Sequence, residues 1–225
     1  MSHSLSEALV REEGEYRDDR LFYIGCDDRY APTQYFGFFK MPRIKICVVP
    51  ADDNLSHAQY VLEKLRPIKC EDDDEKWMVL DTDHCTRDGH FESYEKALSE
   101  ARRIGIHIAI SCPCFEVWLA LHYSPVEEVE KLVTAEACAK HLSNVANGYN
   151  KTQLREDAFV VETLPDAYHR AAAMDAEVAG GDKPNGVTTR VYQVWHNILL
   201  KTLASQLPDV LKELATEIRT SDKKY

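Results

Sequence analysis

From residue 21 onward, short mainly apolar runs alternate with stretches whose apolar residues recur every three or four positions. The first kind predicts buried strands and the second amphipathic helices. Leu21-Phe-Tyr-Ile24 is an aromatic and β-branched run that stops at Gly25, which reads as a strand. Pro32 can open a helix through Tyr35, Phe36 and Phe39. Ile44 to Val49 predicts a second strand, closed by Pro50. Leu55 to Leu65 reads as a helix with Ala58, Val61, Leu62 and Leu65 on one face. Trp77-Met-Val-Leu80 is a third strand, apolar on both faces. Phe91 to Arg103 is a helix stopped at Gly105. Ile106 to Ile110 is a fourth strand, and Phe115 to His122 a further helix.

Strands that alternate with helices predict an α/β fold with a mainly parallel sheet flanked by helices. The division expected is an acidic N-terminal segment over 1–20, the α/β core over 21–125 and a helical extension over 126–225. In that extension Thr134 to Asn147, Asp166 to Val178, Val187 to Leu207 and the stretch opened by Pro208 read as helices. Gly180 to Gly186 reads as a loop. The last helices could pack on the sheet or form the seam of a homodimer.

Composition narrows the function classes. The chain has 225 residues, long enough to bury a core without disulfides or zinc,. It carries 27 basic against 38 acidic residues, a net −11, so it does not hold nucleic acid by general basicity,. Residues 51–100 hold 14 acids and 6 bases, so most of the deficit is central. Glu71-Asp-Asp-Asp-Glu75 reads as a solvated run that repels itself into water. Seven cysteines, an odd number without a secretion signal, read as reduced thiols of a cytoplasmic protein,. Cys112-Pro-Cys114, with His84 and Cys85 elsewhere, lacks the spacing of a zinc knuckle, so core-filling thiols are the better reading. No run of 18 apolar residues predicts a membrane span.

Ligands of such sheets bind outside the carboxyl ends of the strands. At those ends stand Cys26-Asp27-Asp28, Asp81-Thr82-Asp83 and Ser111-Cys-Pro-Cys-Phe-Glu116. Asp81 and Asp83 can project into one crevice. Two close anions need a cation or a proton between them, and Mg²⁺ suits a hard oxygen donor set. Asp27 could give a third ligand. The alternative is a helix cap or a solvated loop. Ser111 or Cys112 could cap a helix opened by Pro113, whose N-terminus would suit a phosphate. Glu116 would lie in its first turn. Phe115, Trp118, Leu119 and His122 form a stripe that reads as core rather than as a nucleobase platform, with His122 a packed histidine.

Several segments together resemble the RloB-like family. Cys26-Asp-Asp-Arg-Tyr-Ala-Pro-Thr-Gln-Tyr-Phe36 resembles its first block. Leu80-Asp-Thr-Asp83 resembles its aspartate pair, and Ser111-Cys-Pro-Cys-Phe-Glu-Val-Trp-Leu-Ala-Leu-His122 its most distinctive block. Tyr149-Asn-Lys151 and Pro184-Asn-Gly-Val-Thr-Thr-Arg-Val191 resemble later blocks, in family order. The family is similar to Toprim nuclease domains, in particular those of the overcoming-lysogenization-defect nucleases. The resemblance implies a Toprim-like sheet and Mg²⁺- or Mn²⁺-dependent hydrolysis of DNA or RNA. It also implies antiphage defence, or abortive infection, beside an ABC-type ATPase. Asp27, Asp81, Asp83 and Glu116 would hold metal. Asp27, Glu116, Ser111 and Lys151 would be catalytic, with Lys151 stabilising charge on phosphorus.

Two departures count against full competence. Asp27 stands where the family has Glu, followed by Asp28 in place of Gly, and Pro32 stands at a second Glu position. A catalytically degenerate regulatory or partner-binding subunit, or a small-molecule phosphoesterase, therefore competes with the nuclease.

Overall fold

The computed structural model describes residues 19–50, 57–85 and 91–222. Residues 1–18, Leu55 and the side chains of His84 and Cys85 lie outside that description. Four strands, β1 (Arg20–Cys26), β2 (Ile44–Val49), β3 (Glu75–Asp81) and β4 (His107–Cys112), are mutually parallel. A two-residue β5 (Thr188–Thr189) joins antiparallel, and the order is β2-β1-β3-β4-β5. The α/β expectation holds. The chain passes from β1 to β2 on one side and returns across β1 to β3 on the other. The sheet's topological switch therefore lies between β1 and β3, where such sheets hold ligands.

Helices cover both faces. Helix α1 (Ala31–Phe38) belongs to one core cluster, and α2 (Ala58–Leu65) to the other, with α4 (Phe91–Arg103) beyond the short α3 (Thr82–Cys85). The change of face follows the change of winding direction, as right-handed crossovers require. Helix α2 begins where the His57 ring nitrogen accepts the Tyr60 amide, 3.2 Å away, and ends on the apolar stripe Val61, Leu62 and Leu65. Gly25 admits it: a Cβ there would stand 2.8 Å from side-chain carbons of both Val61 and Leu65.

The larger cluster joins α1 to α5 (Glu116–Leu121), the short α6 (Val126–Val129), α7 (Ala135–Val145), α8 (Leu164–Glu177), α9 (Val191–Lys201) and α10 (Asp209–Asp222). Tyr35, Trp118 and Trp195 are fully buried at its centre. The Tyr35 ring meets Phe36, Phe115, Trp118 and Trp195 edge-on. His122 sits there too, between the Tyr35 hydroxyl at 3.0 Å and the Thr163 hydroxyl at 2.7 Å. Burial, and then the Arg170 charge, lower its pKa to about 3, so it is neutral core rather than a base.

Three local expectations change. The long helix over Val187–Leu207 is instead β5, α9 and a 3-10 turn over Ala204–Gln206. Two β-branched threonines find the open edge of β4, and the Arg190 amide completes the ladder on the Ile110 carbonyl at 2.8 Å. Ser111 and Cys112 do not cap a helix, because β4 runs through both and α5 starts only at Glu116. The acidic run is not wholly solvated either. Asp74 accepts the Leu21 amide at 2.9 Å, and Glu75 is buried.

Glu75 is neutralised from α9 and from its own strand. Lys201 Nζ lies 2.9 Å away, Asn197 Nδ2 3.0 Å and Trp77 Nε1 2.7 Å. Burial alone would raise its pKa. The bonds from Lys201, Trp77 and Asn197 outweigh it and hold the carboxyl below the usual range. Lys201→Met is expected to cost about 2 kcal/mol, since it strands a buried carboxylate while the lysine itself is partly exposed. A depressed carboxylate stabilises above its unfolded pKa and loses that contribution as pH falls through the folded value. The cost should therefore be full at pH 7 and fade in acid, read from urea midpoints at each pH.

Candidate functional site

Three adjacent strand ends converge at the switch point. Strand β1 delivers Asp27 and Asp28, β3 delivers Asp81, and α3, which follows it directly, delivers Asp83. Strand β4 ends at Cys112, whose peptide bond to Pro113 is cis, and Glu116 follows at the start of α5. Backbone bonds lock these exits together. The Asp81 amide donates to Asp27 Oδ2 at 2.9 Å. The amides of Thr82 and Asp83 both donate to the Pro113 carbonyl, each at 3.1 Å. Asp81 pairs in register with Ser111 on β4.

Ordinary carboxylates seek water, yet these are withdrawn from it. Asp27 is 5% exposed, Asp28 8%, Asp81 3% and Glu116 3%. Asp83 is half-buried and close enough for its charge to act on both Asp27 and Asp81. Burial pushes the Asp27 carboxyl up to about 8, with the Asp81 amide pulling the other way and Asp28 and Asp83 adding to the rise. Burial also raises Asp81 well above the carboxylate range, reinforced by Asp27, Glu116, Asp28 and Asp83. Burial followed by mutual repulsion is what close, water-excluded anions show, and perturbed groups of this kind cluster at functional sites.

Lys151 enters this group from the loop after α7. Its Nζ lies 3.1 Å from Asp28 Oδ2 and 3.5 Å from Glu116 Oε1. Burial disfavours its charge, but Glu116 and Asp28 overcompensate and raise its pKa. Tyr149 donates its hydroxyl to Glu116 Oε1 at 2.6 Å. Burial alone would raise Glu116. Lys151 and Tyr149 reverse this and hold it ionised, below the usual range. Its other oxygen, Oε2, is buried without a hydrogen-bond partner. Gln34 on α1 fastens the loop at two points, donating to the Lys151 carbonyl at 3.0 Å and accepting the Leu154 amide at 2.8 Å.

The fold thus brings together Asp27, Asp81, Asp83, Glu116 and Lys151. Ser111 lies beside them but is fully buried, and its hydroxyl is 2.8 Å from that of Thr189. It joins β4 to β5. Sequence reasoning did not single out two members. Asp28 is as buried as its neighbour and supplies the closer partner of Lys151; a second acid at the same strand end was the available signal. Tyr149 orients Glu116, and only its place in the Tyr-x-Lys block pointed to it. Cys114 and Cys138 are buried in the core, in line with the core-filling reading.

The donor set, all carboxylate and poor in counter-charge, suits a hard divalent cation, and the unsatisfied Glu116 oxygen is where a ligand bond could form. Among the described residues no three His, Cys, Asp or Glu side chains stand ready at ligating positions. Loading would need the carboxylates to close on the ion. Among the same residues no helix is long and apolar enough to cross a membrane.

No curated protein and no solved structure matches the chain. The model of the family described as RloB-like protein matches residues 22–198, from the third residue of β1 almost to the end of α9. The match takes in every carboxylate of the crevice together with Lys151, and the chain belongs to the RloB-like family.

Proposed function

We propose that this chain is a divalent-metal-dependent phosphodiesterase acting on nucleic acid, DNA or RNA. The observation that carries the reading is the burial, at a topological switch point, of Asp27, Asp28, Asp81 and Glu116, with one lysine paired to Asp28 and Glu116. A bound Mg²⁺ or Mn²⁺ would supply Lewis-acid charge to polarise the phosphodiester and activate water. Asp27, Asp81, Asp83 and Glu116 are the residues that would hold it. In the metal-free protein burial holds the Asp27 carboxyl up at about 8, and a bound cation would displace that proton and leave a carboxylate ligand,. Tyr149 fixes the orientation of Glu116, and Lys151 offers the positive charge that a phosphorane-like transition state demands. Ser111 is a positioning residue that holds the β4–β5 edge beside Asp81. The family resemblance further supports a role in antiphage defence with an ABC-type ATPase partner, which could supply the basic surface that the net charge of −11 lacks,.

The test is incubation with plasmid, single-stranded DNA and tRNA in Mn²⁺. Wild type should cleave at least one substrate, and Asp83→Ala should be about a hundredfold slower. Equal cleavage by both would place the activity elsewhere. A second reading, a regulatory or partner-binding subunit, draws on Pro32, which is buried in α1 where the resembled family carries an acid. It also draws on the absence of a ready-made ligand triad among the described residues. It predicts no Mn²⁺ heat in calorimetry and no substrate cleavage with the ATPase supplied.

A further inference from the structure

One lysine here serves two buried carboxylates on different elements. Asp28 follows β1 and Glu116 begins α5, and Lys151 Nζ is nearer to the first, at 3.1 Å, than to the second, at 3.5 Å. Asp28 is itself fixed, because its other oxygen accepts the Tyr30 amide at 2.9 Å in a tight turn. Lys151 is fixed at its backbone by Gln34. Glu116 is fixed through one oxygen by Tyr149 and keeps the other, buried, without a hydrogen-bond partner. The three groups thus form a chain in which one ammonium stands between two buried carboxylates, nearer to Asp28 than to Glu116.

We infer that Lys151 is the site's internal counter-cation and that Asp28 is its parking position, drawing the ammonium off Glu116 so that a divalent cation can take that carboxylate. The inference rests on the metal-dependent reading above and deepens it. Asp28 is then a positioning residue and not a ligand. A metal ion and an ammonium cannot both sit close to Glu116 without mutual repulsion. Without Asp28, Lys151 has Glu116 as its remaining partner in this group and competes directly with the metal. With Asp28 present, the lysine remains charged, ordered and beside the crevice, where a phosphate would next need it.

The sign pattern of a double-mutant cycle separates this from a ligand role. Mn²⁺ affinity is measured by calorimetry on the full chain, with no substrate present, for wild type, Asp28→Asn, Lys151→Met, the double variant and Asp81→Asn. Thermal melts confirm that each is folded. Lys151→Met should bind Mn²⁺ about fivefold more tightly, the scale of a half-exposed charge pair. Asp28→Asn should bind about fivefold more weakly. The double variant should regain the affinity of Lys151→Met. If it stays as weak as Asp28→Asn, Asp28 is a ligand and the inference is overturned. Unchanged affinity in both single variants also overturns it, while leaving the metal site standing if Asp81→Asn abolishes binding. If wild type binds no Mn²⁺ at all, the metal-dependent reading falls and takes this inference with it.

Discussion

Asp81→Asn is expected to abolish turnover, by about 10²–10³-fold or more, while making the metal-free protein more stable. The two effects share one cause. Asp81 is 3% exposed and surrounded by four other acids, of which Asp27 and Glu116 act on it most strongly. Burial and those neighbours disfavour its charged form in the folded state, and that cost is withdrawn from folding,. Asparagine keeps the shape and never ionises, so the variant should be more stable, seen as a melting temperature several degrees higher. It should also lose the further rise that Mn²⁺ gives wild type, because that rise measures binding to the folded state. A variant that is inactive and also less stable would show that Asp81 is an ordinary structural acid. A variant that keeps activity would remove the metal reading.

The metal-free protein should become less stable as pH rises from about 5 to 8, the reverse of ordinary acid denaturation. Asp27 has its folded pKa raised from 3.8 to about 8, and Asp81 moves in the same direction. Between those limits the folded state binds more protons than the unfolded state. Stability therefore falls with rising pH. The group's contribution is fully present below the unfolded pKa and is gone above the folded one. The expected loss is on the order of 2–4 kcal/mol across the window, allowing for relaxation of the cavity. Glu75 and Glu116 have lowered pKa values, so their contributions change only in stronger acid. Urea midpoints measured in EDTA at pH 5, 6, 7 and 8 test the slope, and Asp27→Asn should flatten it. In Mn²⁺ the slope should weaken or reverse, because the cation takes the place of the protons. A flat profile for wild type in EDTA would mean that the cavity is hydrated well enough to leave these acids near ordinary values.

The sheet was legible because its central strand β3 is buried on both faces and its neighbours are mainly apolar. Trp77 to Leu80 is an unbroken apolar run, Ile44 to Val49 is broken only by Lys45, and the helices between them carry clear stripes. The first carboxylates were legible because a parallel sheet puts its strand ends on one side. What local pattern cannot carry is pairing between distant segments. Thr188-Thr189 is too short to announce a strand and exists only because β4 has an open edge. Glu75 looks solvated among four neighbouring acids until α9 brings Lys201 and Asn197 to it. Asp28 reads as a spare acid until the loop after α7 delivers Lys151. Lys151 itself would pass for a surface lysine on sequence spacing, and only its place in the family block singled it out.

Gln34 gives the lysine's position an unexpected guarantor. Its side-chain amide offers the loop one donor and one acceptor, bonded to the Lys151 carbonyl and the Leu154 amide, much as a neighbouring strand would. The helix that holds Gln34 also holds Tyr35 and Phe36, both at the centre of the largest core cluster. Swinging that loop away thus means either breaking both bonds or loosening a helix anchored in the core. The placement of the lysine is in this way tied to the packing of the largest core cluster rather than to the fraying that surface loops ordinarily undergo,.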